Sequence, residues 1–143
     1  MNVGNVCRRP LITAPASSNL MQIASLMAEQ NVGAVIITKA PLDRPVAVGV
    51  VTDRDIVIAQ LDHTADLSSI PTEQVMSRAP LEIVESAELD EAIRQMRAHN
   101  VRRAPVVSAD GSLIGMVSVD DLIASVAEEM IGLAAVLARQ SLH

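Results

Sequence analysis

The chain carries one pattern twice, and this repetition constrains its fold more than any other feature. Gly49-Val50-Val51-Thr52-Asp53-Arg54-Asp55-Ile56 returns as Gly115-Met116-Val117-Ser118-Val119-Asp120-Asp121-Leu122. Each stretch reads as a glycine, an apolar strand end, a hydroxyl, and a carboxylate three residues later at a helix start. The correspondence extends outwards at a constant shift. Val6, Arg9, Leu20, Met27, Asn31 and Val32 recur as Val75, Arg78, Leu89, Met96, Asn100 and Val101. The register changes only where the longer loop 39–45 is replaced by Ala109-Asp110-Gly111-Ser112. Two copies of one unit, each too small to bury a core comfortably, are expected to pack together.

Within each unit the element order is the same. A short extended segment, Leu11 to Ala14 or Leu81 to Val84, precedes small polar residues and then a helix. Leu20, Ile23, Ala24 and Met27 lie on one helical face, as do Leu89, Ala92, Ile93 and Met96. Asn31 and Asn100 suit helix ends because Asn tolerates the left-handed conformation. β-Branched runs follow, at Val32 to Thr38 and Val46 to Val51, then at Ala104 to Ser108 and Leu113 to Val117. Asp110-Gly111 signals a tight turn between the second pair. A second helix starts near Asp53 and near Val119.

The expected fold class is therefore α+β, with two β-α-β-β-α repeats. They divide as 1–62 and 72–128, joined by a polar linker at 63–71, with a helical extension at 129–143. In that extension Leu122, Ile123, Val126, Met130, Leu133, Val136 and Leu137 continue an apolar stripe. Such a stripe must cover something, and a second subunit is the favoured partner.

Composition narrows the function. A net charge of −6 argues against a nucleic-acid partner, since phosphate backbones are met by basic surfaces. The chain has no Phe, Trp or Tyr, so it offers no aromatic platform for stacking bases. A bound purine would lie between aliphatic side chains and backbone. No apolar run is long enough for a transmembrane span, and no signal peptide is legible. A single cysteine, Cys7, points to a reducing, cytoplasmic setting. Cys7 aligns with apolar Met76, which favours packing over nucleophilic chemistry. His63, His99 and His143 share no metal-ligand spacing. No catalytic residue and no metal site are assigned.

The chemistry rests on the doubled hydroxyl–carboxylate motif. Thr52 with Asp55 and Ser118 with Asp121 fit helix capping boxes. The same place also suits a ligand. A helix N-terminus presents unpaired N–H groups to a phosphate, and a carboxylate one turn in can accept ribose hydroxyls. Gly49 or Gly115 would admit the ligand closely. Capping and binding are compatible.

Val75-Met76-Ser77-Arg78, Leu89-Asp90-Glu91-Ala92, Met96 through Val107, Asp110-Gly111, Gly115 through Leu122 and Val50 through Ile56 occur in a fixed order. Together they resemble a tandem pair of CBS domains (a Bateman module) over nearly the whole chain. The resemblance implies an adenine-nucleotide-binding regulatory module whose sheets pack about a pseudo-twofold axis. It further implies two clefts, each joining the early strand of one copy to the hydroxyl–carboxylate motif of the other. One cleft would set Thr13, Ala14, Val32, Gly33 and Ala34 around adenine. Asp121 would hold the ribose there, with Ser118 and Arg102 near phosphate. The other would use Ile83, Val101 and Arg103 with Thr52, Arg54 and Asp55. It carries Glu82 where the family often has Thr, so the first cleft is the stronger.

Arg8, Arg9, Arg78, Arg102 and Arg103 read as solvated surface charges, of which Arg102 and Arg103, standing where the first copy has Gly33-Ala34, read equally as phosphate partners. Asp120 and Asp121 are the residues that a magnesium ion accompanying a polyphosphate would touch. The expected protein is a non-enzymatic homodimer that binds AMP, ADP or ATP and passes its state to a separate, unidentified regulated protein. S-adenosylmethionine and NADH are alternative ligands that the sequence leaves open. The rival is a ligand-free dimeric scaffold whose capping boxes only cap.

Overall fold

The computed structural model describes residues 1–9, 11–39, 43–62 and 65–140. Residues 40–42 of the longer loop, His63 and His143 lie outside the described residues. The first repeat consists of β1 (Thr13–Pro15), α2 (Leu20–Gln30), β2 (Ala34–Lys39), β3 (Val46–Thr52) and α3 (Asp53–Asp62). A short helix, α1 (Val3–Val6), precedes it. The second repeat consists of β5 (Ile83–Val84), α4 (Leu89–Ala98), β6 (Arg103–Val107), β7 (Leu113–Ser118) and α5 (Val119–Gln140), with β4 (Ser77–Arg78) before it. The expected β-α-β-β-α order holds in both copies.

Local chemistry sets the element boundaries. Asn19 caps α2 reciprocally with Gln22: the Gln22 N–H donates to Asn19 Oδ1 and the Asn19 N–H to Gln22 Oε1. Asn31 ends the helix at φ 52°, and Asn100 adopts the same φ beyond α4. Leu20, Ile23 and Met27 form the buried face of α2. In α4 the buried residues are Ala92 and Met96, whereas Ile93, expected on that face, is exposed beside α5.

Each repeat builds its own sheet, with parallel β1–β2 and β5–β6 pairs and antiparallel β2–β3 and β6–β7 pairs. The leading arms are exchanged. β4, which opens the second repeat, pairs with β3 of the first, setting Gly49 opposite Arg78 and Val50 opposite Ser77. Reciprocally, Arg8 near the N-terminus pairs with Met116 of β7. Val3 and Cys7 belong to the second core, with Ile83, Met96, Val106 and Val117. Ile70 and Met76 belong to the first, with Leu20, Ile23, Val35 and Val51.

The doubled glycines answer to these arms. A Cβ on Gly49 would lie 2.5 Å from Met76 Sδ and 2.8 Å from the Ser77 carbonyl oxygen. One on Gly115 would lie 2.6 Å from the Arg8 carbonyl oxygen. Both positions admit a crossing backbone; the expectation that they admit a ligand is corrected accordingly. The linker also departs from its polar reading. Leu67 and Ile70 pack on the first core, and Thr72 is fully buried with its hydroxyl 3.0 Å from that of Ser18.

The two sheets meet through a third cluster, in which Ile36 and Ala47 pack with Val107 and Leu113 beside Leu11 and Met116. β2 is buried on both sides: Val35 and Ile37 turn to their own core and Ile36 to the shared one. Fully burying a side chain such as Ile36 contributes about 1.5–3 kcal/mol. Arg44 ties the two hairpin loops together, with Nη2 3.1 Å from Asp110 Oδ2.

Candidate functional site

The arm exchange and the shared cluster leave a cavity of about 380 Å³ between the repeats. One wall comes from the first repeat: Leu11, Ile12, the turn Gln30 to Ala34, and Ile36. The facing wall comes from the second: Arg103, Met116, Ser118, Asp120 and Asp121. Arg8 and Arg9 of the N-terminal arm complete the rim. Aliphatic walls with a few convergent polar groups, in a volume within the usual ~300–1,000 Å³, suit a small organic ligand.

Asp121 is the most engaged group of this cavity. Its Oδ2 accepts from the Ser118 N–H at 3.0 Å and the Ser118 hydroxyl at 2.8 Å. The Asp121 N–H returns a bond to Ser118 Oγ at 3.1 Å, which completes a capping box at the start of α5. Its Oδ1 accepts from Arg8 Nε at 2.9 Å. The carboxylate side chain is 11% exposed and the arginine 75%. Burial pushes the Asp121 carboxyl up, but the bonds from Arg8 and Ser118 outweigh it and hold the group below the ordinary carboxylate value. Arg8 is raised in turn, chiefly by its hydrogen bond to Asp121.

The corresponding box in the first repeat is built alike. The Thr52 N–H donates to Asp55 Oδ2 at 2.8 Å, and the Asp55 N–H to Thr52 Oγ1 at 3.2 Å. At the start of α3 the Asp53 N–H also bonds the Gly33 carbonyl at 3.0 Å. The Val119 N–H bonds Arg102 in the same way in the second repeat. Gly33 has little room beside it: a Cβ there would stand 3.2 Å from Asp53 Oδ2 and 3.3 Å from Arg103 Nη2.

Of the residues assigned to the first cleft, Val32, Gly33, Ala34, Ser118 and Asp121 line this cavity together. Thr13 and Ala14 line a different cavity, of about 510 Å³, between β1 and α2. Arg102 lies outside as well, exposed on an apolar groove between α4 and α5. Of the second set, Arg103 joins the first cavity, beside Gly33. Ile83 is fully buried in the second core and Val101 packs on it, while Arg54 is exposed. Thr52 and Asp55 are bonded to each other, and neither lines the cavity that Arg103 joins. Sequence reasoning missed Ile12 and Met116 as cavity residues, named Asp120 only as a magnesium contact, and placed Arg8 and Arg9 only as generic charges. Their equivalence to Ser77 and Arg78 was the available signal, but it became useful only once the arms were seen to cross. Among the described residues no three His, Cys, Asp or Glu side chains converge as a metal-ligand set. No described helix is long and apolar enough to cross a membrane.

Comparison with known proteins agrees with the doubled architecture. The family model described as CBS domain matches residues 3–62 and again 72–128. An uncharacterized protein of Methanopyrus kandleri is 32% identical over 137 residues, covering 91% of this chain and 68% of its own length. A CBS domain-containing protein of Bacillus subtilis is 31% identical over 110 residues, covering 77% of this chain and 74% of its own. Among solved structures, a CBS domain protein of Pyrobaculum aerophilum complexed with AMP superposes with a TM-score of 0.74 at 28% identity. That match covers 85% of this chain and 89% of the other. With its two matched domains spanning most of its length, this chain belongs to the CBS-domain family, as a tandem pair with an extended C-terminal helix.

Proposed function

We propose that the chain is a regulatory module that binds an adenine nucleotide in the cavity closed by Ser118 and Asp121. The observation that carries this reading is the meeting of that capping box with the Val32–Ala34 turn of the other repeat, under a rim of Arg8, Arg9 and Arg103. The aliphatic wall would take the base, Asp121 the ribose hydroxyls, and the guanidiniums the phosphate. The Pyrobaculum aerophilum relative is complexed with AMP, as is the structure named CBSX2, at 25% identity and a TM-score of 0.73. Both support an adenine ligand here. Magnesium would enter only with a polyphosphate, at Asp120 and Asp121.

The module is non-enzymatic and cytoplasmic in this reading. It acts by linkage: a ligand gripping both repeats favours one relative arrangement, and its differential affinity sets the available shift. A separate protein reads that arrangement. A second copy covers α5, where Ile123, Val126, Met130, Leu133 and Leu137 follow 3-4-3-4 spacing and are all more than a third exposed. The domain division follows as 1–62 and 72–128, with 63–71 between and 129–143 beyond.

The test is calorimetry of the full chain with AMP, ADP, ATP, S-adenosylmethionine and NADH. AMP or a related nucleotide is expected to bind, and Asp121→Ala to weaken it about a hundredfold, the loss of charge-assisted bonds to two hydroxyls. Absence of heat with every compound, at protein concentrations that report micromolar affinity, would leave the scaffold reading, for which the α5 row is the supporting observation. Sedimentation of the same sample tests the homodimer.

A further inference from the structure

The Asp121 carboxylate is already spoken for. Its Oδ2 accepts two bonds, from the Ser118 N–H and hydroxyl, which fill the two acceptor positions of that oxygen. Only Oδ1 has capacity left, and Arg8 Nε holds one of its positions. A ribose presents two hydroxyls. Accepting both at Asp121 requires that Arg8 leave.

Arg8 is built to leave without going far. Its backbone is pinned to β7 from both sides, with the Arg8 N–H on the Met116 carbonyl at 2.8 Å and the return bond at 3.3 Å. Its side chain, in contrast, is 75% exposed and therefore free to change rotamer at little cost. It pivots at the cavity rim. The neighbouring cations are placed differently: Arg9 reaches towards Glu85 at 3.8 Å, and Arg103 stands beside Gly33. In the first repeat the position equivalent to Arg8 is Ser77, opposite Val50, and Asp55 has no ion-pair partner among the described residues.

We propose that Arg8 is a latch that makes this cavity selective for adenosine bearing a 5′-phosphate over the unphosphorylated nucleoside. Its guanidinium holds the carboxylate oxygen that a ribose would need. A phosphate supplies the guanidinium with a new anionic partner and so compensates its release; a neutral nucleoside must break the Arg8–Asp121 pair without replacement. The inference rests on the adenine-nucleotide reading above and adds the source of its selectivity.

The experiment is calorimetry of AMP and adenosine with the full chain and with Arg8→Gln, circular dichroism confirming the fold of each. The latch requires opposite shifts. Adenosine binds about threefold tighter to Arg8→Gln, the worth of a released surface ion pair, while AMP binds about tenfold weaker, the worth of a lost charge-assisted phosphate contact. Arg8→Lys, which keeps the charge but not the Nε donor, recovers part of the AMP affinity. Equal shifts for both ligands, or none, overturn the latch while leaving the nucleotide reading intact. AMP binding that is indifferent to Asp121→Ala removes the ribose assignment and the latch with it. Failure of both ligands with both proteins sinks the nucleotide reading itself.

Discussion

In the first repeat Asp55 closes a capping box with Thr52 and makes no ion pair among the described residues, whereas in the second Asp121 closes the same box with Ser118 and also holds Arg8. The backbone device is identical, and the difference comes from what the exchanged arm brings past it. The arm crossing β3 delivers Ser77, and the arm crossing β7 delivers Arg8. A capping box fixes a carboxylate in place; the neighbouring chain decides its charge environment. Repetition therefore preserves the scaffold of both sites while the short leading arms differentiate them.

The comparison breaks most severely if the two repeats lose their mutual packing. Ile36→Ala removes a side chain that is 1% exposed in the shared cluster and is expected to destabilise the whole chain by about 2–5 kcal/mol. Chemical denaturation followed by circular dichroism checks this, since the chain has no Trp or Tyr for fluorescence. A single transition at lower denaturant is expected; loss of one repeat's signal alone would contradict the shared core.

The two arm crossings are compared by adding one methyl group to each. Gly115→Ala and Gly49→Ala should each cost about 1–3 kcal/mol from overpacking. Gly115→Ala should cost more, because the nearest atom is the Arg8 carbonyl oxygen at 2.6 Å. At Gly49 part of the pressure falls on the flexible Met76 side chain. Equal melting temperatures for wild type and both variants would mean that the arms yield freely.

The smallest effect is electrostatic. Asp121 has a folded-state pKa below its unfolded value, so its contribution to stability is complete at neutral pH and lost as pH falls through the depressed value. Arg8→Gln removes one cause of that depression. Wild type and Arg8→Gln should therefore differ by under about 1 kcal/mol near pH 7, and their melting curves should converge once Asp121 is protonated. A difference that persists unchanged in acid would assign it to packing of the arginine stem.

Much of this molecule was legible in its sequence because local rules act identically in both copies. The Asn residues beyond α2 and α4, the hydroxyl–carboxylate caps and the Asp110-Gly111 turn each depend on neighbours within a few positions. The site residues that moved did so by one or two positions along the chain, a distance that a repeat pattern does not resolve. Leu11 and Ile12 line the cavity between the repeats, while Thr13 and Ala14 line the cavity beside α2. Arg103 points to the first and Arg102 to the groove beside α5. The arm exchange was illegible for another reason. Val6 and Arg9 match Val75 and Arg78, so an arm's own residues do not say which of two similar sheets it joins.

The crossed arms also make the two repeats one folding unit. An isolated first repeat, ending at Asp62, would lack β4, Ile70 and Met76, and would leave the edge of β3 and part of its core bare. An isolated second repeat would lack Val3 and the strand partner of Met116. Contacts such as Arg8 to Asp121 join residues 113 positions apart, a long-range requirement that slows folding. The first repeat cannot be completed before Arg78 has been made, and the second cannot be completed without the arm that carries Val3 and Arg8.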